Sequence, residues 1–137
     1  MSAPEYGKNF ETPQGAILCL EDAYRANDLD AAVRCKDFRL EARLLLENLK
    51  NARDIAADDE LLDKTAEVLE LAYRKEVTDN GFPDMGSTKC RFTDVQPHSE
   101  GVVVVTEVCQ SPDGGTSTQG ILVGKTDRGW RVLNPVK

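Results

Sequence analysis

The stretch Gly101-Val102-Val103-Val104-Val105-Thr106-Glu107-Val108-Cys109 decides the fold, together with the two apolar runs after it. A turn at Ser111-Pro112-Asp113-Gly114-Gly115 leads to Gly120-Ile121-Leu122-Val123-Gly124-Lys125. A tighter turn at Asp127-Arg128-Gly129 leads to Trp130-Arg131-Val132-Leu133-Asn134-Pro135. β-Branched runs separated by glycine-containing turns predict an antiparallel meander. Val103, Val105, Glu107 and Cys109 fall on one face of the first run, and Val102, Val104, Thr106 and Val108 on the other. Both sets start apolar, so this strand is expected at the centre of the sheet, covered on both sides there. Which set faces the helices is not decided by the pattern.

Outward from the meander, Cys90-Arg91-Phe92-Thr93-Asp94-Val95 alternates and predicts one more strand, with Gln96–Gly101 turning it into the next. Gly120 and Gly124 inside a strand suggest a curled sheet, and Pro135 is expected to end ladder pairing. Everything earlier reads as helix. Thr12-Pro13 is a helix start, with Thr as cap and Pro in the first turn. Ile17, Leu20, Ala23 and Tyr24 recur at helical spacing. Asp28 caps a short second helix through Leu29, Ala32 and Val33, closing near Asp37-Phe38. Leu40 to Ala57 carries Leu45, Leu49, Ala52 and Ala56 at the same spacing. Asp58 caps a last helix with Leu62, Ala66, Leu69, Tyr73 and Val77, and Asn80-Gly81 with Pro83 stops it. Helices succeeded by a meander predict an α+β domain with helices packed on one sheet face. The expected organisation is a loose tail over 1–11 and a single domain over 12–137.

The chain has 137 residues, enough for one self-sufficient core. No apolar run approaches the ~20 residues a membrane helix needs. The first residues show neither a basic stretch nor an apolar one of the kind a secretion signal has, so a cytoplasmic protein is expected. Cys19, Cys35, Cys90 and Cys109 are far apart, with no Cys-x-x-Cys and a single histidine, His98. Reduced thiols acting as small hydrophobes are expected, and no metal site or cofactor. Residues 1–84 hold 11 Lys/Arg against 19 Asp/Glu, a balance of −8, whereas residues 85–137 hold 6 against 5, a balance of +1. An acidic helical half argues against nucleic acid or anionic membrane as ligand and favours a basic partner.

Several pieces together resemble the NTF2-fold immunity proteins of bacterial polymorphic toxin systems. They are Thr12-Pro13, Leu20-Glu21-Asp22-Ala23-Tyr24, Ala31-Ala32-Val33-Arg34-Cys35-Lys36-Asp37-Phe38, Asn80-Gly81-Phe82-Pro83-Asp84, Val104-Val105-Thr106-Glu107-Val108-Cys109 and Lys125-Thr126-Asp127-Arg128-Gly129-Trp130-Arg131-Val132-Leu133-Asn134-Pro135. The resemblance implies an NTF2-like (cystatin-like) α+β cone and a cytosolic, non-catalytic antitoxin that binds and blocks a cognate toxin domain. A basic nuclease suits the charge, and a homodimer is compatible with the fold. The alternative is an NTF2-like enzyme or small-ligand binder of the isomerase/SnoaL type, using a pocket between sheet and helices.

Candidate contact residues for a partner are Asp58, Asp59, Glu60 and Asp63, with Glu107 and Asp113. Together with Asp54 these four make five acids from Asp54 to Asp63; acids at a helix start also complement the helix dipole, and that structural reading of the segment is the stronger one. Glu107 stands in an apolar strand, where a carboxylate needs a partner or exposure. A cross-strand ion pair with Lys125, Arg91 or Arg131 is the structural expectation, and a contact residue or general base the functional one. Pocket-lining candidates are Tyr24, Asp37, Phe92 and Trp130. Asp37 in an apolar cavity would serve as a proton-abstracting base, but a helix-capping role is favoured. His98 in its turn is expected to be an exposed loop residue.

Overall fold

The computed structural model describes residues 7–47, 58–82 and 88–136. Four helices and four strands succeed one another: α1 Pro13–Arg25, α2 Leu29–Arg34, α3 Phe38–Glu47, α4 Asp59–Asn80, β1 Lys89–Ser99, β2 Val102–Gln110, β3 Thr116–Thr126 and β4 Gly129–Val136. The chain divides into two compact units, one formed by Met1–Lys36 with Pro83–Lys137 and one by Asp37–Phe82. Leu49, Ala52, Asp54, Ala56, Pro83 and Asp84, which enter the sequence-based expectations, lie outside the described residues.

The first unit holds the sheet. Its strands pair antiparallel in the order β1-β2-β3-β4, the open meander that the turns predict. β2 is central along its length. Val102 pairs with Gly124 and Gln110 with Thr116, without a shift between them. β1 runs further than its alternating core. Gln96, Pro97 and Ser99, expected in a turn, pair with Val104, Val103 and Val102, and two register shifts absorb the irregular residues. Pro97 is tolerated because β1 is an edge strand, where a missing N–H costs no ladder bond. Likewise β4 continues past Pro135, which lies across from Ile121.

Helix α1 begins as its sequence dictates. Thr12 accepts from Gly15 N–H at 2.9 Å and Pro13 opens the first turn. It packs across β4, β3 and β2. Ala16, Ile17, Leu20 and Ala23 are buried, as are Val105, Ile121, Val123, Val132 and Leu133 of the sheet. Burying a side chain of this size stabilises by roughly 1.5–3 kcal/mol. After α2, Val132 N–H donates to Cys35 O at 2.8 Å, which ties the helical segment to β4. Phe10, ahead of α1, is in contact with the same strand: Trp130 N–H donates to Phe10 O at 2.8 Å. Gly129 turns there with φ 94°, and a Cβ on it would stand 2.5 Å from Phe10 O, so only glycine fits.

The second unit is a helical pair. Asp37 accepts from Leu40 N–H at 2.9 Å and so opens α3. Asp58 caps α4 by accepting from Leu61 N–H at 3.2 Å, and Gly81 ends it at φ 81°. Ala42, Leu46 and Leu62 are buried together, with Leu61, Ala66 and Leu69 packed against them. The Phe38 and Tyr73 rings meet with centroids 5.7 Å apart. Glu60–Lys64 and Glu70–Arg74 are ion-paired across one helical turn, each at 3.1 Å. No helix among the described residues is long and apolar enough to cross a membrane.

Candidate functional site

The face of β2 that meets α1 is settled by a carboxyl pair. Glu107 projects from β2 between Val105 and Cys109 and is 1% exposed; Glu21 projects from α1 and is 5% exposed. Their carboxyl groups are hydrogen-bonded to each other. Two buried carboxylates in direct contact cannot both stay ionised, so one proton is shared. Burial and the neighbouring Glu107 push the Glu21 carboxyl up to about 9. Glu21 is therefore a neutral acid at pH 7, donating to Glu107. Gln119, directly across from Glu107 in β3, donates to Glu107 Oε1 at 3.4 Å. The second oxygen, Oε2, is buried and accepts from no N–H or hydroxyl group among the described residues.

This arrangement corrects two expectations about Glu107. It is not a surface contact for a partner, because it is buried. Nor does it form a cross-strand ion pair on exposed sheet with Arg91 or Lys125. Arg91 lies across from Val108 and hence on the opposite face, and Lys125 lies across from Trp130 at the far end of β3.

Beside Glu107 lies a second correction. Cys90 and Cys109, opposite one another in β1 and β2, form a disulfide with Cα atoms 4.0 Å apart. The expectation of four reduced thiols holds only for Cys19 and Cys35. The extended β1 creates this register: strand pairing as far as Ser99, with its two one-residue shifts, brings Cys90 opposite Cys109. The two sulfurs and a Glu107 carboxylate oxygen lie within 4.8 Å of one another. Phe92, a pocket candidate, is half-buried opposite Glu107.

The first unit also carries an open cleft of about 470 Å³ between the α1–α2 segment and β4. Its lining includes Phe10, Cys19, Asp22, Cys35, Arg128 and Arg131. The Arg131 guanidinium lies over the Phe10 ring at 3.6 Å and donates to the carbonyls of Arg128 at 2.7 Å and Trp130 at 3.0 Å. Lys8 and Arg25 both bridge to Asp22, at 3.1 and 3.2 Å. Burial pushes the Cys19 thiol up and the Cys35 thiol to about 11. Cys35 donates to Ala31 O at 3.2 Å. Both are protonated at pH 7 and neither is an activated nucleophile. None of Tyr24, Asp37, Phe92 or Trp130 lines this cleft. Tyr24 and Trp130 are half-buried in the first unit, and Asp37 caps α3 in the second.

The acidic candidates stand where the helix dipole favours them, and all are exposed. Asp58 is the α4 cap. Asp59 and Asp63 hold Arg39 of α3 between them, at 2.6 and 3.0 Å, and Glu60 bridges to Lys64. Asp113 organises its own hairpin, accepting from the Ser111 hydroxyl and from Gly115 N–H. Those two bonds hold its carboxyl below the usual range. His98 lies exposed on β1, next to Ser99.

Beyond these acids, α4 exposes two large apolar side chains three residues apart, Val68 at 64% and Leu71 at 66% exposed, and α3 exposes Leu45 at 48%. The unit Asp37–Phe82 that carries them holds 7 Lys/Arg against 12 Asp/Glu, a balance of −5. The sequence pattern alone did not single out this apolar surface, although Val68 and Leu71 fall off the Leu62–Ala66–Leu69–Tyr73 stripe.

No protein-family model matches the chain. No curated protein matches it either, and neither does any solved structure.

Proposed function

We propose that this chain is a non-catalytic binding protein of the immunity type, with an NTF2-like fold, that blocks a basic toxin domain through its helical unit. The observation that carries the reading is the exposed Val68–Leu71 pair on an acidic helix. α4 holds seven acids against three bases. Large apolar side chains left in water within a field of one sign suit a protein partner: apolar contact supplies the desolvated centre, and charge speeds and orients the encounter. The acids that hold Arg39 and Lys64 remain solvent-facing and still contribute to that field.

The test is co-expression with a basic toxin domain taken from a neighbouring gene, then size-exclusion chromatography. A 1:1 complex that weakens with salt, and that Val68→Arg with Leu71→Arg abolishes, supports the reading. Absence of a complex, or a complex indifferent to both substitutions, overturns it.

A second reading rests on Glu21. A carboxyl group held neutral to about pH 9 beside a second carboxylate is the electrostatic arrangement of an acid–base site. On that reading the chain is an NTF2-like enzyme or small-ligand binder, with Glu107 as base and Glu21 as the proton-holding acid. It requires a ligand in contact with the pair. Glu21→Gln would abolish ligand binding or turnover on this reading and leave toxin binding intact on the first.

A further inference from the structure

We propose that Cys90, Cys109 and Glu107, once the disulfide is reduced, form a zinc site at the β1–β2 edge of the sheet. Three ligand atoms of the right kinds already converge, with both sulfurs and a Glu107 oxygen within 4.8 Å of one another. Tetrahedral zinc with Zn–S bonds of about 2.3 Å and Zn–O bonds of about 2.0–2.2 Å needs neighbouring ligand atoms roughly 3.5–3.8 Å apart. Side-chain rotation alone covers the difference, because Cys90 and Cys109 are direct neighbours across two strands and Glu107 shares the face of Cys109.

The second observation is independent of the cysteines. Glu107 is 1% exposed and, beside the carboxyl it shares with Glu21, its Oε2 accepts from no N–H or hydroxyl group among the described residues. A carboxylate oxygen in that position is destabilising unless something occupies it. A cation held by a Glu107 oxygen and the two sulfurs balances this buried carboxylate. Two thiolates select a borderline or soft cation, so magnesium and calcium are excluded and zinc fits. Both cysteines are only partly buried, which gives a reductant and the cation access.

Electrons and protons balance. A dithiol reductant passes two electrons and two protons to the Cys90–Cys109 bond and is itself oxidised to a disulfide. Zinc then displaces the two thiol protons to solvent, while Glu107 binds as the carboxylate. Disulfide and metal are mutually exclusive occupants of the same place, so the site is open only in the reduced protein.

Cobalt is the spectroscopic probe. The full-length protein is reduced, freed of reductant under argon and titrated with Co²⁺, then with Zn²⁺. One equivalent of cobalt giving thiolate charge-transfer absorption in the near ultraviolet, with tetrahedral visible bands displaced by zinc, is the expected result. Cys109→Ser abolishes the thiolate bands, Glu107→Gln weakens binding at least tenfold, and Cys19→Ser with Cys35→Ser leaves both unchanged. A measurement without substitution guards against misfolded variants: zinc should protect Cys90 and Cys109, and not Cys19, from alkylation in the reduced native protein. Absence of thiolate bands, bands that survive Cys109→Ser, or unaltered alkylation of Cys90 and Cys109 in zinc overturns the proposal.

Discussion

Glu21→Gln should free the fold from a dependence on pH that the carboxyl pair imposes. In the unfolded chain Glu21 ionises near 4.5; in the folded chain it holds its proton up to about 9. Between those limits the folded state binds more protons than the unfolded state, so stability falls as pH rises. One unit of pH across this window is worth about 1.4 kcal/mol. From pH 5 to pH 8 the loss reaches roughly 4 kcal/mol, a large part of the 5–15 kcal/mol typical of a domain. Glutamine keeps the shape, supplies an N–H donor to Glu107 and cannot ionise. The assay is urea unfolding of the disulfide-bonded protein with a chelator present, at each pH unit from 5 to 8. The native protein should lose stability steadily, and the variant should lose about 4 kcal/mol less over the range. Parallel curves for the two proteins would refute the shared-proton account of Glu21 and Glu107.

The same structure has other measurable consequences. Reducing the Cys90–Cys109 disulfide in the presence of a chelator reopens a loop of sequence separation 19. In the chain-entropy model that costs about 3 kcal/mol, read as a lower urea midpoint with an altered m-value. Gly129→Ala forces a Cβ against Phe10 O from a φ of 94°; a loss of at least ~1 kcal/mol is expected, measured by thermal unfolding. Ile17→Ala empties a position 2% exposed under the sheet and should cost about 2–5 kcal/mol by the same assay. Asp58→Ala removes the α4 cap and should cost about 1 kcal/mol, with hydrogen exchange accelerating first at Leu61.

Much of the architecture was legible because it is local. Thr12-Pro13, Asp58 and Asn80-Gly81 mark helix ends through short-range backbone chemistry, and the structure places α1 and α4 accordingly. Glycine-bearing turns likewise announce the meander. The candidate site was hidden because it depends on contacts between distant segments. Glu107 looked exposed, since a carboxylate in an apolar strand usually finds water; its partner comes from a helix, and no local pattern couples the two. A signal for Glu21 did exist: it stands four residues after Ile17, on the stripe with Leu20 that packs against the sheet. The disulfide escaped for a different reason. Ending the first strand at Val95 discards the register: pairing runs on to Ser99, and two one-residue shifts along it, which no local pattern announces, align Cys90 with Cys109.

The proposed partner is a basic toxin domain, and calorimetric titration of such a domain, taken from a neighbouring gene, into the full chain with and without Leu71→Arg tests the proposal most directly. Saturable 1:1 binding that Leu71→Arg weakens at least tenfold is the predicted result, a loss of about 1.4 kcal/mol or more. Binding of equal strength to both proteins, or heat from neither, would contradict it.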